Sequence, residues 1–494
     1  MPPAAAPLPT GLSALEARLR QDLEWLELPG KPWVPEQRAP DGAPVSDVII
    51  IGGGMCGLAA AAQLRLLGIE RIRVLDRAPP GQEGPWVTFA RMETLRSPKQ
   101  LAGPALGLPA LTFRAWFEAQ HGPEAWARLG KIPRPMWMDY LVWYRRVMAV
   151  RVENGVAVAL IRPRPDGLIA LDLEGGDEAL CRRLVIATGR DGLGGPMVPE
   201  ALVRGVPRRL WAHSAEPIDF AALRGRRVGV VGAGASAMDN AAMALEAGCA
   251  SLDMFVRRPV LPPVNKFTGI GSAGVVHGYA GLPDAWKLRF QHYALGQQTP
   301  PPRDSTLRVS RHPNARLHLA SPVLGLAESE GALRVALPGR EVAVDLLILA
   351  TGFGVDLARR PEFALIGPHI RFWPDRLPPG TPEFANEELA TSPDLAPDFA
   401  FQERTPGTCP ALARIHCFNH PASLSAGKLG GDIPAVSAGA QRLGRGIARS
   451  LFVEDRALHF ERLQAFDTPE LLGDEWPEDR ILRPPAASPE GSAA

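Results

Sequence analysis

The chain reads as an α/β protein built around two parallel sheets, and three observations predict this. The segment DVIIIGGGMCGLAAAAQLRLLG runs from Asp47 to Gly68, and RRVGVVGAGASAMDNAAMALEAG runs from Arg226 to Gly248. Each is a short β-branched run, a glycine-rich turn and an alanine-rich helix. Two buried-strand patterns ending in Ala-Thr-Gly then bracket the second unit: LVIATG (Leu184 to Gly189) and DLLILATG (Asp345 to Gly352).

The turn has a specific chemistry. Val48 to Ile51 predicts a strand buried on both faces. Gly52 makes the tight exit, Gly54 lets backbone N–H groups approach a pyrophosphate, and Gly57 lets the helix lie close to the strand. The helix N-terminus turns its partial positive charge toward the anion. This is a Rossmann-like dinucleotide unit. A following strand ends at Asp76, the distance at which a carboxylate meets ribose hydroxyls.

The second unit repeats the plan with Gly232, Gly234, Ser236 and Ala237. Its second strand, Ser251 to Val256, ends in Arg257 and Arg258, and guanidinium groups there suit a 2′-phosphate. The second unit is therefore read as an NADPH site and the first as an FAD site. A single glycine turn would also suit ordinary helix–strand packing; two, with different strand ends, point to two cofactors.

The order of parts sets the domains. The NADPH domain, 206–344, reads as an insertion into a discontinuous FAD domain, 46–205 and 345–482. Residues 1–45 read as a helix and a proline-rich linker, and 483–494 as a disordered tail. Leu12, Leu15, Leu19, Leu23 and Leu26 fall at helical spacing between Gly11 and Leu28. Both signs of charge on the polar face favour packing on the body of the protein over a membrane or partner. Near the end, Asp432 and Pro434 mark a helix start, with Val436, Leu443, Ile447 and Leu451 as its apolar face.

Composition excludes several classes. At 494 residues with a formal charge of +1, the chain has no basic stripe for nucleic acid and no acidic tail. No apolar run reaches the roughly 18 residues of a spanning helix, and the N-terminus lacks the pattern of a secretory signal. The five cysteines include no CxxC, which fits a reducing cytoplasm and counts against a disulfide reductase. No Cys/His cluster stands at zinc spacing. A homo-oligomer is compatible with the sequence.

The tryptophan-rich connection from Pro79 to Arg151 either lines a planar-ligand site or fills a core; Trp86 is carried as a cofactor-side candidate. Gly189, Thr351 and Gly352, at the two strand ends, are carried likewise.

With these motifs in place, residues 46 to 455 resemble the two-dinucleotide-domain flavin monooxygenases, which include flavin-containing monooxygenases, bacterial N-hydroxylases and Baeyer–Villiger enzymes. DLLILATGF is close to the N-hydroxylase pattern, with Phe353 in place of tyrosine. The resemblance implies that Asp432 sits by the ribityl chain. It implies hydride transfer from NADPH to FAD, then insertion of one atom of O₂ through a C4a-hydroperoxyflavin. Baeyer–Villiger enzymes carry FxGxxxH before the second unit. Here PRRLWAHS puts Pro207 and Arg209 at the Phe and Gly positions and keeps only His213, which Ser214 follows. That departure disfavours Baeyer–Villiger chemistry, and His213 reads as a linker or a hinge residue.

The run RSPKQLAGPALGLPALTFRAWFEAQHG, with GRDGLGGP and RRPVLPPVNK, resembles a bacterial subgroup that includes a flavin-dependent urate hydroxylase. An anionic planar substrate such as urate needs cations, amides and a stacking face. Candidates are Arg96, Lys99, Asn265, Lys266 and Asn419, with His420 beside it. Each has a bland alternative: solvated loop cations for Arg96 and Lys99, an NADPH phosphate for Lys266, a turn cap for Asn419. Two other classes stay open, an NADPH:acceptor reductase or oxidase on the same scaffold and a flavin-binding sensor module.

Overall fold

A computed structural model describes residues 11–484. The readings of residues 1–10 and of the tail beyond 484 lie outside the described residues. The chain divides into two compact units, with the division between Arg449 and Ser450.

The first unit opens with helix α1 (Gly11–Trp25), which packs on helix α3 (below) and buries Leu15 and Leu19. Its Glu16 pairs with Arg146 at 2.5 Å and accepts from Trp143 Nε1 at 3.1 Å. The helix ends before Leu26, which is exposed. Then come β1 (Val45–Ile51), α2 (Met55–Leu66) and β2 (Ile72–Asp76). Helix α3 (Phe113–Arg128), kinked at Gly122–Pro123, and α4 (Arg134–Val147) carry most of the aromatic residues. Strands β3 (Val152–Asn154), β4 (Val158–Pro163), β5 (Ile169–Leu173) and β6 (Glu178–Ile186) follow.

After β7 (Gly194–Pro196) and β8 (Trp211–His213) comes the second glycine unit: β9 (Arg227–Val231), α5 (Ala235–Glu246) and β10 (Ser251–Phe255). Two helices, α6 (Asp284–Gln297) and α7 (Arg303–Ser310), lead to β11 (Ala315–His318). The chain continues through β12 (Gly325–Ser329), β13 (Ala332–Leu337), β14 (Arg340–Val344), β15 (Leu346–Leu349), β16 (Phe353–Val355) and β17 (Ile415–Cys417). Helix α8 (Val436–Glu454) ends this unit and begins the next; Val436, Leu443 and Ile447 are buried. The second unit also holds α9 (Arg456–Ala465), where the His459 ring stacks on Phe452 with centroids 4.5 Å apart.

Two sheets organise the first unit. The larger has the order β3-β2-β1-β6-β5-β4, with β17 also on β6. Its β1 lies parallel between β2 and β6, with Ile50 opposite Val74 and Val185. Such a strand is covered on both faces, which is why Val48, Ile49 and Ile50 are fully buried. The smaller sheet, β11-β10-β9-β15-β8, is parallel throughout. Val228, Val230, Leu252 and Ile348 pack with Ala237, Ala241 and Leu245 of α5 in one core. Phe255, Leu347 and Leu349 pack with Leu333, Val335 and Val344 of the antiparallel β12–β14 sheet in another. The second Ala-Thr-Gly strand, β15, pairs with β8 and β9, so the chain leaves the smaller sheet only after Leu349.

The aromatic connection is mainly core. The Phe113 ring lies within 6.3 Å, centroid to centroid, of Trp116, Phe117, Trp126, Trp137 and Tyr140. Large rings packed at tilted or edge angles gain both burial and quadrupole complementarity.

His213 fastens the chain where it leaves the smaller sheet. Its fully buried ring takes the Ala215 N–H on Nδ1 at 3.1 Å, which leaves Nε2 to donate to the Gly352 carbonyl at 3.1 Å. Its burial and its two hydrogen bonds do not fit the reading as a surface-linker residue. Burial lowers the ring's affinity for a proton below the ordinary 6.5.

Two expectations follow. A Cβ at Gly57 would lie 1.8 Å from the Gly52 carbonyl oxygen, whereas one at Gly234 would meet nothing within 4 Å. Gly57→Ala should cost about 3 kcal/mol or more and Gly234→Ala less than about 0.5 kcal/mol in denaturant unfolding. For His213 the unfolded ring binds a proton more readily than the folded one. The fastening therefore contributes fully above about pH 6.5 and is lost as pH falls through the lower folded value. His213→Ala should cost about 1–2 kcal/mol at about pH 8 and clearly less at about pH 5.5; an equal loss at both would mean that the ring acts by packing alone.

Candidate functional site

The two glycine turns share a geometry. At the first, Gly52 leaves β1 with φ +108°, and a Cβ there would stand 2.5 Å from the Ala187 carbonyl oxygen. At the second, Gly232 leaves β9 with φ +119°, and its Cβ would stand 2.7 Å from the Ala350 oxygen. In each case the obstacle is the alanine of an Ala-Thr-Gly strand. Only glycine tolerates both the left-handed backbone and the carbonyl against it.

The helices behind the turns begin without side-chain caps. Gly54 starts α2 and Gly234 starts α5, and neither accepts a capping bond. The first-turn N–H groups, which have no partner within a helix, are thus left for a ligand. Ala237, in the place corresponding to Gly57, is fully buried.

Around the first turn, Asp76 Oδ2 accepts the Gly53 N–H and Oδ1 the Ala78 N–H, both at 2.7 Å. The carboxylate is thereby fixed at the rim of the turn. Trp86 is nearly buried, edge-on to Trp137 at 6.2 Å, and its carbonyl takes a bond from Arg134. Gly189 sits 3.8 Å (from its Cβ position) from Asp191 Oδ1. Around the second turn, the Ser236 carbonyl accepts from Asn240 Nδ2 at 2.8 Å. Arg257 is exposed, and Arg258 reaches the Gly296 carbonyl at 3.5 Å. Thr351 donates its hydroxyl to the Met197 carbonyl, and the Gly352 carbonyl takes the Met197 N–H at 2.9 Å.

The loop from Asn419 to Asp432 meets the first turn. The Gly431 N–H donates to Cys56 Sγ at 3.1 Å. Burial pushes the Cys56 thiol up to about 12, so it serves as a packing acceptor. Asn419 is fully buried; its side-chain oxygen accepts from the Cys417 thiol at 3.0 Å and its Nδ2 has no partner. It does not act as a turn cap through its side chain. Thr188 Oγ1 is also without a partner, and a Cβ on Gly192 would meet both, at 2.0 Å and 2.9 Å.

Charge gathers at this loop. Burial raises the Asp432 carboxyl, opposed by Lys428, His420, Arg96 and Arg190. Burial likewise lowers the Lys428 ammonium, opposed by Asp432 and Glu388, and Arg190 and Arg96 lower it further. His420 Nε2 lies 3.3 Å from Glu388 Oε1, and burial is the main cause that holds its ring below the ordinary value. The Lys428 Nζ sits 3.9 Å above the centre of the Phe267 ring.

Of the residues nominated for substrate, the structure brings Arg96 to this cluster; its guanidinium also donates to the Pro300 carbonyl at 3.0 Å. Asn265 and Lys266 start the turn that carries Phe267, Asn265 half-buried and Lys266 exposed. Lys99 lies apart: its ammonium donates to the Trp126 and Leu129 carbonyls at the end of α3. Sequence reasoning passed over Lys428, Arg190, Glu388 and Phe267. The signal for Lys428 was its place two residues before the Gly-Gly-Asp of the late helix start.

Among the described residues no group of His, Cys, Asp and Glu could hold a metal ion, and no helix is long and apolar enough to cross a membrane. All five cysteines are buried and free.

Comparison with known proteins follows the same lines. Residues 49–264 match the family described as pyridine nucleotide-disulphide oxidoreductase. Two solved structures share the fold. Ornithine hydroxylase from Pseudomonas aeruginosa is 16% identical with a TM-score of 0.64, over 82% of this chain and 100% of that one. L-lysine 6-monooxygenase from Pseudomonas syringae is 17% identical with a TM-score of 0.64, over 82% and 99%. The FAD-dependent urate hydroxylase of Xanthomonas campestris pv. campestris is 42% identical over 472 residues, 94% of this chain and 98% of the relative. At that identity and coverage, the chain belongs to the FAD-dependent urate hydroxylase family of flavin monooxygenases.

Proposed function

We propose that this protein is an FAD- and NADPH-dependent monooxygenase that hydroxylates urate to 5-hydroxyisourate. The observation that carries the reading is the pair of uncapped glycine turns, each pressed against an Ala-Thr-Gly strand, with a cluster of mixed charge beside the first. The urate assignment draws on the named activity of the 42% identical relative and on the cations of that cluster.

The residues present fit FAD at the first turn. Gly52, Gly54 and Gly57 keep the backbone bare, and Asp76 stands where ribose hydroxyls would reach it. Two orphaned polar atoms, Thr188 Oγ1 and Asn419 Nδ2, stand by Gly192 where the 419–432 loop joins. Trp86, Gly189 and Asp432 complete the flavin side. Gly232, Gly234, Ser236, Ala237, Thr351 and Gly352 would hold NADPH, with Arg257 and Arg258 on its 2′-phosphate. In this reading residues 46–205 and 345–482 serve FAD and 206–344 serve NADPH, with β15 lending its strand to the nucleotide sheet.

Bound FAD would accept hydride and activate O₂. The chain's own tasks are to bind and orient. N–H groups of α2 and α5 take the pyrophosphates. Arg96, Asn265, Lys266 and Asn419 supply donors to the substrate. Lys99 could join them only by leaving the α3 carbonyls. Burial of Asn419 would help keep water from the reacting face. Disulfide exchange needs an accessible thiolate, and the Cys56 thiol stays protonated well beyond neutral pH.

With urate present, NADPH loss should match oxygenated product one to one. Hydrogen peroxide as the sole product would sink the reading. Arg257→Ala should raise the KM for NADPH about 10- to 100-fold, the equivalent of one charge-assisted contact, and leave NADH use nearly unchanged. Equal losses with both nucleotides would give that arginine another role.

A further inference from the structure

The cations beside the Asn419–Asp432 loop differ in what already holds them. Arg96 donates to the Pro300 carbonyl at 3.0 Å. Lys99 is taken up by the end of α3. Lys428 is different: among the described residues it makes no ion pair within 4.0 Å and no hydrogen bond, and its partner is a ring face, the Nζ standing 3.9 Å from the Phe267 centroid. Asp432 and Glu388 act on it only through space.

A half-buried ammonium in that position has lost part of its water without gaining an anion. The ring quadrupole offsets some of this and leaves the cation able to take a charged ligand. The ring is supplied by the turn Lys266–Ile270, beyond the strand of the second glycine unit, and the ammonium by the loop that touches the first. An ammonium seated on an aromatic ring, with no bonded anion, is what a negatively charged ligand requires.

We propose that Lys428, seated on Phe267, is the residue that reads the substrate's negative charge, so that the site selects planar heterocyclic anions over neutral rings of the same shape. This rests on the monooxygenase reading for the location of the substrate, and it concerns binding alone.

The test is equilibrium binding to the FAD-loaded full-length protein, followed by flavin absorbance, with two probes. Urate is an anion at neutral pH; 1,3,7,9-tetramethylurate has the same rings and no ionisable N–H. Lys428→Met should weaken urate about tenfold or more and leave the tetramethyl compound within about twofold, and Lys428→Arg should restore most of the loss. Phe267→Leu keeps the charge and removes the ring; it should weaken urate about threefold and carries the test if Lys428→Met does not fold. The proposal is overturned if Lys428→Met leaves urate within about twofold, weakens both probes alike, or raises only the KM for NADPH, which would place the ammonium on a phosphate. Wild-type protein that binds urate without coupled turnover defeats the functional reading and leaves this one standing; protein that binds neither probe defeats both.

Discussion

The structure turns on a backbone-to-backbone constraint. The Gly52 carbonyl lies so close to the start of α2 that residue 57 can carry no side chain, and the Ala187 carbonyl closes on Gly52 from the neighbouring strand. That approach brings the N-terminus of α2 to the edge of the sheet, where its N–H groups face outward. The smaller sheet repeats the arrangement with Ala350 against Gly232. Two copies of one packing solution therefore explain both glycine turns and both Ala-Thr-Gly strands.

The charged cluster at the 419–432 loop has a different logic. Asp432, Lys428 and His420 are each disfavoured as charges by burial, and each is supported by an opposite charge: Asp432 by Lys428, His420 and Arg96, Lys428 by Asp432 and Glu388, and His420 by Glu388. Such groups are held by mutual compensation, and a ligand that alters one alters the rest.

Much of the frame was legible in the sequence because its signals are local. Periodicity and turn chemistry located β1, α2 and β2, then β9, α5 and β10, within a few residues of their ends. The leucine stripe of α1 reported its own packing. Signals that depend on tertiary neighbours were harder to read. The strand Leu346–Leu349 reads in sequence as the start of the second part of the FAD domain, and it pairs with β9 and β8 in the sheet of the second glycine unit. The tryptophans of α3 and α4 could not be sorted into core or ligand face until Phe113 was seen among them. Lys99 and Lys428 look alike as loop lysines; one caps a helix end and the other rests on a ring from 161 positions earlier in the chain, an arrangement with no spacing rule.

The hydrogen bond from Gly431 to Cys56 joins residues 375 positions apart. Closing so long a loop is entropically slow, and such contacts form late when a chain folds from its N-terminus during synthesis. The first glycine turn emerges well before its companion loop, which leaves the ribosome some 375 residues later. The turn therefore waits for its companion loop, and a product terminated between them carries the glycine fingerprint without that contact.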